Sequence, residues 1–513
     1  MVFIGYFIIG ICCFRDYGIS TDEMYERQTM WVNINYISTL LGREPMDVES
    51  LSTYDDKYYG SVLQMPMWIV EKLGNGIAGI MEGRHLYTFS FCVMGYIFFF
   101  CMCRKLLKSD MLALLGTAML ALYPRFFAEQ FYNIKDMVFM SIFVVGMWAT
   151  VQMIESKFSW KWVFIFCMIG GVAMTTRMPA VILVLVAIGY LWIVWLLRKQ
   201  CGNVYDLTWK RVVLLTIGIC VLFYVSFLLF LPGMWEAPIK NTLEFFREFS
   251  KLTDGQGLLL FMGEEIGDIG APWYYIPIWL LISVPVWYIL LFFVSAGIVA
   301  FRTGKAMKKK DEVLTQIFFE NKYWIWSLML AAIPWTGMAI MESTLYNGWR
   351  HCYFLAPPLL LFALFGIRAA VKSWRKTPKV MLYGLITAGM LMQIIWIGKN
   401  HPFEMVYFNS IGRHYADEFD RDYWSLSEYP AWQYIASHDD SEKISINTAG
   451  TKFFRLRLRE DELKRVEFSD DPEYYIYMYR GQRGNSYEME GYEEYHSFEV
   501  DGFKVATIFK KKT

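Results

Sequence analysis

Two carboxylates stand side by side at Asp22-Glu23, in the stretch Asp16-Tyr-Gly-Ile-Ser-Thr-Asp22-Glu23 that directly follows the first apolar run. Against an apolar wall, such a pair can have a raised pKa and serve as a general base. An ordinary acidic loop has the same composition. Lys135 and Asp136, in Tyr132-Asn-Ile-Lys-Asp136, open a later apolar run. There the ammonium suits a phosphate and the carboxylate suits orienting it or an acceptor. The plainer alternative is a snorkelling lysine followed by a helix-capping aspartate. Arg177 closes Thr175-Thr-Arg177, in a very short turn between two apolar runs. Its planar fork binds phosphate bidentately, although arginines also anchor helices at membrane surfaces. Arg350 and His351, in Trp349-Arg-His351, precede another run, and His351 reads either as an acid or as a satisfied interfacial histidine. Gly263-Glu-Glu-Ile266 and Pro272-Trp-Tyr-Tyr275 lead into one more. Each of these signals is weak alone, but together they set acids suited to base catalysis beside cations suited to a phosphate.

The elements that must position these residues are membrane helices. Hydrophobic residues make up 56% of the 513 and charged residues only 19%, with a mean hydropathy of +0.30. A soluble chain of this length would need more surface charge, and an aromatic share of 18% fits interfacial belts of Trp and Tyr. The net charge of zero argues against nucleic acid. Eleven runs are apolar enough to be candidate spans: Met1–Phe14, Leu86–Cys103, Met111–Phe127, Met137–Ile154, Trp160–Met174, Pro179–Leu197, Val212–Leu231, Tyr275–Phe301, Tyr323–Met341, Cys352–Ile367 and Val380–Gly398. The first lacks the basic start and small-residue cleavage site of a signal peptide. As a helix it rises only about 20 Å, so the bilayer thins there or the true start lies upstream. Most cysteines lie inside these runs and read as small buried hydrophobes, not as disulfide partners or metal ligands.

The connections separate by charge. Arg104–Lys108, Glu155–Lys161, Arg198–Arg211, Arg302–Lys322 and Arg368–Lys379 are short, rich in Lys and Arg, and fall on alternate connections. The positive-inside rule makes that side cytoplasmic. The N-terminus is then inside and the C-terminal part outside a cell membrane. The opposite side carries the long connections 15–84 and 232–274, richer in Asp and Glu. The first has about 70 residues against a usual connection of about 4–6, and is too aromatic for disorder. Within it, Val62–Leu73 reads as a helix lying flat on the membrane, with Glu71 and Lys72 near its end. From His401 onward charge density rises and apolar runs stop. Alternation over Lys443–Asn447 and Phe498–Ile508 predicts strands, and Ser427–Ser437 predicts a helix. The expected organisation is a membrane domain over 1–398 and a small extracytoplasmic α+β domain over 399–513.

In their order, these motifs resemble the polytopic GT-C glycosyltransferases that use a lipid-phosphate-linked sugar, nearest the protein-mannosyltransferase-like branch of bacteria. Asp22-Glu23 looks like that family's acidic motif. Tyr132-Asn-Ile-Lys-Asp136 looks like its Asn-Pro-Lys-Asp motif with Ile134 in place of proline. Thr175-Thr-Arg177 is similar to its Thr-Arg pair, and Tyr346-Asn-Gly-Trp-Arg-His351 with Tyr353, Phe354, Pro357 and Pro358 to its late Arg-His segment. Leu231-Pro-Gly-Met-Trp235 also fits. His401-Pro-Phe-Glu404, Tyr407-Phe-Asn409 and Asp422-Tyr-Trp424 resemble the juxtamembrane start of an outer domain. The resemblance spans about residues 15–435 and implies a GT-C-like fold with inverting transfer from a polyprenyl-phosphate-linked sugar at the outer face. Asp22 is then the base, and Glu23 and Asp136 orient the acceptor or tune Asp22. Lys135, Arg177, Arg350 and His351 form the phosphate site. The acceptor is an unidentified glycan, lipid or protein hydroxyl, and membrane lipid is the remaining partner. A divalent cation (Mg or Mn) between carboxylates and phosphate is compatible with this chemistry, though no spacing demands one. A lipid or glycan flippase and an envelope-assembly partner are the alternatives. Against a flippase stand the lack of an internal repeat and the placing of these charges at one membrane face.

Overall fold

The computed structural model describes residues 1–199, 207–250, 259–266, 271–307, 321–341, 343, 345, 347–481 and 483–512. Cys201, Tyr346 and parts of the connections 198–211, 232–274 and 302–322 lie outside them. Every expected apolar run falls on helix. Among the described residues, eight helical stretches are long and apolar enough to cross a membrane, and one bent pair of helices passes the same test jointly. Two shorter apolar helices, α1 (Val2–Cys13) and α8 (Trp160–Thr176), accompany them, so the count of eleven spans is not established by length and composition alone. The chain is a multi-pass membrane protein.

The long spans are α4 (Gly76–Leu107), α7 (Asp136–Glu155), α9 (Val181–Leu196, entered through a short 3-10 turn), α10 (Trp209–Phe230), α13 (Val286–Met307), α14 (Lys322–Ile340), α15 (Ala356–Ser373, preceded by the 3-10 turn Arg350–Leu355) and α16 (Lys376–Asn400). In α7, 89% of the spanning stretch is buried, against 28% in α10 and 22% in α13, which makes α7 the central helix. Small residues permit the closest crossings. A Cβ on Gly366 of α15 would fall 2.5 Å from the Ser295 Cα of α13, and one on Gly95 of α4 would fall 2.9 Å from the Ser141 Cα of α7.

Three expectations from the sequence need correction. Tyr275–Phe301 is not one helix: α12 (Tyr275–Ser283) and α13 (Val286–Met307) are separated at Val284-Pro285, where proline removes a backbone N–H. Met111–Phe127 is not one straight span: α5 (Asp110–Ala121) and α6 (Pro124–Tyr132) meet at 66°. The cause is Pro124, which lacks an N–H and pushes the preceding Tyr123 into extended backbone, φ −64° and ψ 121°. The outer-loop helix is also shorter than expected. It is α3, Met67–Leu73, and starts only after Pro66. Its Glu71 turns inward, not toward a membrane surface. Arg27 holds it with two hydrogen bonds (2.9 and 2.7 Å), Arg84 with one (3.1 Å) and Trp31 with another (2.9 Å). Apolar spacing alone did not reveal the cations waiting on α2 (Glu23–Leu40) and α4.

After α16 the chain builds α17 (Glu428–His438), α18 (Glu460–Arg465) and a five-stranded sheet of β3 (Ile444–Thr448), β4 (Val466–Phe468), β5 (Tyr474–Met478), β6 (Tyr492–Val500) and β7 (Phe503–Lys511), in the order β4-β3-β5-β7-β6. A small hairpin, β1 (Leu259–Phe261) with β2 (Glu264–Ile266), precedes it in the chain. β3 pairs in parallel with β4 and β5, while β7 pairs antiparallel with β5 and β6. The expected strand over 498–508 is thus the β6–β7 hairpin, turning at Asp501-Gly502, both at positive φ. The sheet packs on the helical body through Phe498 against Phe403 and Phe503 against Phe408.

Glu428, at the start of α17, is buried and accepts the Thr448 hydroxyl (3.0 Å) and the Lys452 N–H (3.2 Å). Burial raises its carboxyl to about 7, against the pull of those hydrogen bonds. The folded state therefore binds this proton more tightly than the unfolded chain, whose carboxyl titrates near about 4.3. The resulting stability is full below that pH and is lost as pH rises through about 7. Glu428→Gln should flatten this part of a thermal-midpoint-against-pH profile, and an unchanged slope would assign it to another group.

Candidate active site

The candidate residues sit at helix ends, and four of the seven meet directly. Asp22 occupies the N-cap position of α2. Asp136 begins α7, held there because its N–H donates to the Asn133 Oδ1 at 2.8 Å. That side-chain bond starts the helix without the proline that Ile134 replaces. Ile134 itself packs into an apolar cluster with Met30, Met67 and Val138. Arg177 caps the C-terminus of α8, and Arg350 opens the 3-10 turn into α15. Arg350 Nη1 donates to Asp22 Oδ2 (2.7 Å) and to Asp136 Oδ2 (3.4 Å), while Arg177 Nη2 donates to Asp136 Oδ1 (2.5 Å). Asp136 thus bridges two guanidiniums, and Arg350 bridges two carboxylates.

Lys135 adjoins this chain. Its ammonium pairs with Glu26 at 2.7 Å and lies 3.6 Å from the Tyr59 ring centre. Burial lowers the Lys135 pKa, but Glu26 outweighs it and the net shift is upward, so the cation is secured. Sequence reasoning missed Glu26, although it stands four residues after Asp22, on the same helical face. Arg350 and Asp136 are each 2% exposed, whereas Asp22 is 34% exposed. Asp22 is therefore the carboxylate of the chain that an incoming molecule can reach.

Electrostatics correct one expectation. Burial raises the Asp22 pKa, but Arg350, helped by Lys135 and Arg177, overcomes it, and the net shift is downward. The apolar wall does not protonate Asp22; the neighbouring guanidinium keeps it ionised. Glu23 is not brought to the cluster. Its carboxylate accepts the Ser20 N–H at 2.7 Å and faces His85 at 3.0 Å inside the core. His351 follows Arg350 on the same turn and is half-buried. Gly263 lies in the turn of the β1–β2 hairpin, where its N–H donates to the Glu418 carbonyl at 2.9 Å, and Glu264 and Glu265 belong to β2. A divalent ion between Asp22 and Asp136 would have to displace Arg350, which touches both. The donor set there is arranged around the protein's own cations, Arg350 and Arg177.

The site has a floor and a cover that the sequence did not reveal. Glu129 of α6 is buried and accepts Asn133 Nδ2 (2.7 Å) and the hydroxyls of Tyr353 (2.6 Å) and Tyr423 (3.2 Å). It thereby fixes the asparagine that starts α7. A carboxylate four residues before Asn133 in an otherwise aromatic run was the available signal. Trp424 covers the site, with the Arg350 guanidinium 4.5 Å from its ring centre, and its carbonyl accepts both the N–H and the hydroxyl of Thr21 (3.2 Å each). Beside Arg350, Trp349 lines an apolar cavity of about 500 Å³, together with Tyr123, Phe126, Ile276, Trp335 and Leu359.

Residues 65–230 match the family described as dolichyl-phosphate-mannose-protein mannosyltransferase. That stretch contains Lys135, Asp136 and Arg177 and ends before Arg350. The resemblance read from the motifs holds over it. Among solved structures, the chain is similar to ArnT from Cupriavidus metallidurans bound to undecaprenyl phosphate, at 12% identity and a TM-score of 0.46, covering 99% of this chain and 97% of that one. The apo state of the same protein matches with a TM-score of 0.45, at the same identity and coverage. No curated protein matches the chain.

Proposed function

We propose that this protein is an inverting glycosyltransferase that moves a sugar from a polyprenyl-phosphate carrier to an acceptor hydroxyl at the outer face of a cell membrane. The observation that carries the reading is the contact chain Asp22–Arg350–Asp136–Arg177, in which one reachable carboxylate shares its arginine with a buried, cation-holding aspartate. The match over residues 65–230 to the mannosyltransferase family supports it. So does the alternation of basic connections, which sets the N-terminus inside and residues 399–513 outside. Residues 1–398 are the catalytic membrane part.

In this mechanism Arg350, Arg177 and Lys135 receive the phosphate of the donor, while the isoprenoid chain enters the apolar cavity beside Trp349. Arriving phosphate competes with Asp22 for Arg350. As Arg350 turns to the phosphate, Asp22 loses its partner and becomes a better base. The acceptor oxygen attacks the anomeric carbon from the face opposite the phosphate. The bond from that carbon to the phosphate oxygen breaks, the acceptor proton passes to Asp22, and the leaving phosphate keeps the electron pair beside the cations. Guanidiniums placed where charge grows stabilise this step. Asp136 keeps the two arginines aligned, and Glu23 acts from the core by fixing the turn that carries Asp22.

The test offers a panel of polyprenyl-phosphate sugars to the purified protein in nanodiscs, with the anomeric configuration of the product read by NMR. Turnover of one donor with inversion supports the reading, and retention overturns the single displacement. Absence of both turnover and binding for every donor favours a transporter or assembly role. Arg177→Ala should weaken donor binding by about 10–100-fold, since a charged hydrogen bond is worth about 1.5–3 kcal/mol, as measured by titration with a non-transferable donor. Unchanged affinity would remove Arg177 from the phosphate site.

A further inference from the structure

At the other end of the segment that carries Asp22, the last residue of α1 meets the first residues after α16. Cys13 Sγ, an Asp16 carboxylate oxygen and a His401 ring nitrogen all lie within 4.8 Å of one another, the one such trio among the described residues. We propose that Cys13, Asp16 and His401 form a zinc(II) site that ties the first helix to the start of the C-terminal segment. The sequence had assigned the cysteines to the apolar core, yet Cys13 is only half-buried at the end of its helix.

The imidazole is already set for an ion. His401 Nε2 faces Asp16 Oδ2 at 2.9 Å, while Nδ1 faces Glu404 Oε1 at 2.7 Å. Glu404 is fully buried and takes the Tyr17 hydroxyl on its other oxygen at 3.0 Å. A buried carboxylate on the far nitrogen is the usual second partner of a metal-bound histidine; it fixes the ring and the tautomer, and leaves the near nitrogen for the ion. Bonds of about 2.0–2.3 Å to one central ion need only small movements from this spacing. Thiolate, imidazole and carboxylate together select a borderline ion such as zinc over calcium or magnesium, which prefer all-oxygen shells. Three protein ligands leave a fourth position for water. Asp16 is 47% exposed and His401 25%, so the ion has a path from solvent. Binding forms Zn–Sγ, Zn–Nε2 and Zn–O bonds, and Cys13 and His401 each release a proton to solvent.

The consequence reaches the active site. Residues 16–22 are held at Thr21 by the Trp424 carbonyl and at Tyr17 by Glu404. An ion on Asp16 anchors the near end of this segment, and Asp22 stands at its far end.

The experiment uses the full-length protein in nanodiscs, stripped with chelator and titrated with Zn²⁺, then with Co²⁺ as a spectroscopic probe. Wild type and a Cys12→Ser control should take up one zinc per chain, and the cobalt form should show a sulfur-to-cobalt charge-transfer band. Cys13→Ser should lose that band and bind zinc more weakly by at least the about 10–100-fold that outer partners contribute, with an unchanged thermal midpoint in chelator. Asp16→Asn, at an exposed position, should weaken zinc without disturbing packing. No stoichiometric zinc in wild type, or a charge-transfer band that persists in Cys13→Ser, overturns the site.

Discussion

Asp22→Asn should leave folding nearly intact, hold or modestly tighten donor binding because the phosphate no longer competes with a carboxylate for Arg350, and lower turnover by about 10²–10⁴-fold, the usual contribution of a positioned general base. The asparagine is nearly isosteric and its oxygen still accepts from Arg350, so the arginine stays where it is. What disappears is the capacity to take a proton. Because Arg350 and its neighbours keep Asp22 ionised, the wild-type carboxylate is already in the reactive form at neutral pH. The decisive readout is the split between donor affinity and single-turnover rate. Turnover at the wild-type level in the asparagine variant would mean that the acceptor loses its proton elsewhere, and the assignment of Asp22 would fall.

Arg350→Ala should be the most damaging single change. The side chain is 2% exposed and contacts both Asp22 and Asp136. Removing one partner of a buried ion pair costs about 3–5 kcal/mol, because a charge remains inside without compensation. A lowered thermal midpoint should therefore accompany lost donor binding. Adding Asp22→Asn to Arg350→Ala removes one of the two stranded charges and should recover part of the midpoint, but none of the donor affinity. Additive losses in the double variant would show that the two residues are not coupled, contrary to their 2.7 Å contact. A structural role for Arg350 alone would leave donor affinity intact in folded protein.

Much of this molecule was legible in its sequence, for a definite reason. Lipid admits no unpaired backbone, so a spanning stretch must be both apolar and about 20 residues long. Composition therefore marked where the helices run, and their charged ends marked Asp22, Asp136, Arg177 and Arg350 as residues at one level. Lys135, a cation at a helix start, was visible in the same way.

Tertiary structure decided which of these residues touch. Asp22 and Glu23 are neighbours in sequence, yet successive helical residues point about 100° apart. One turns to Arg350 and the other to His85. The ionised state of Asp22, the inward turn of Glu71 and the tyrosine-held Glu129 all depend on partners tens to hundreds of residues away. The meeting of Cys13 with His401 does too. Local chemistry sets what each side chain can do. Only the packing of distant helices sets which charge stands opposite it, and in a buried site that opposing charge determines protonation, orientation and reach.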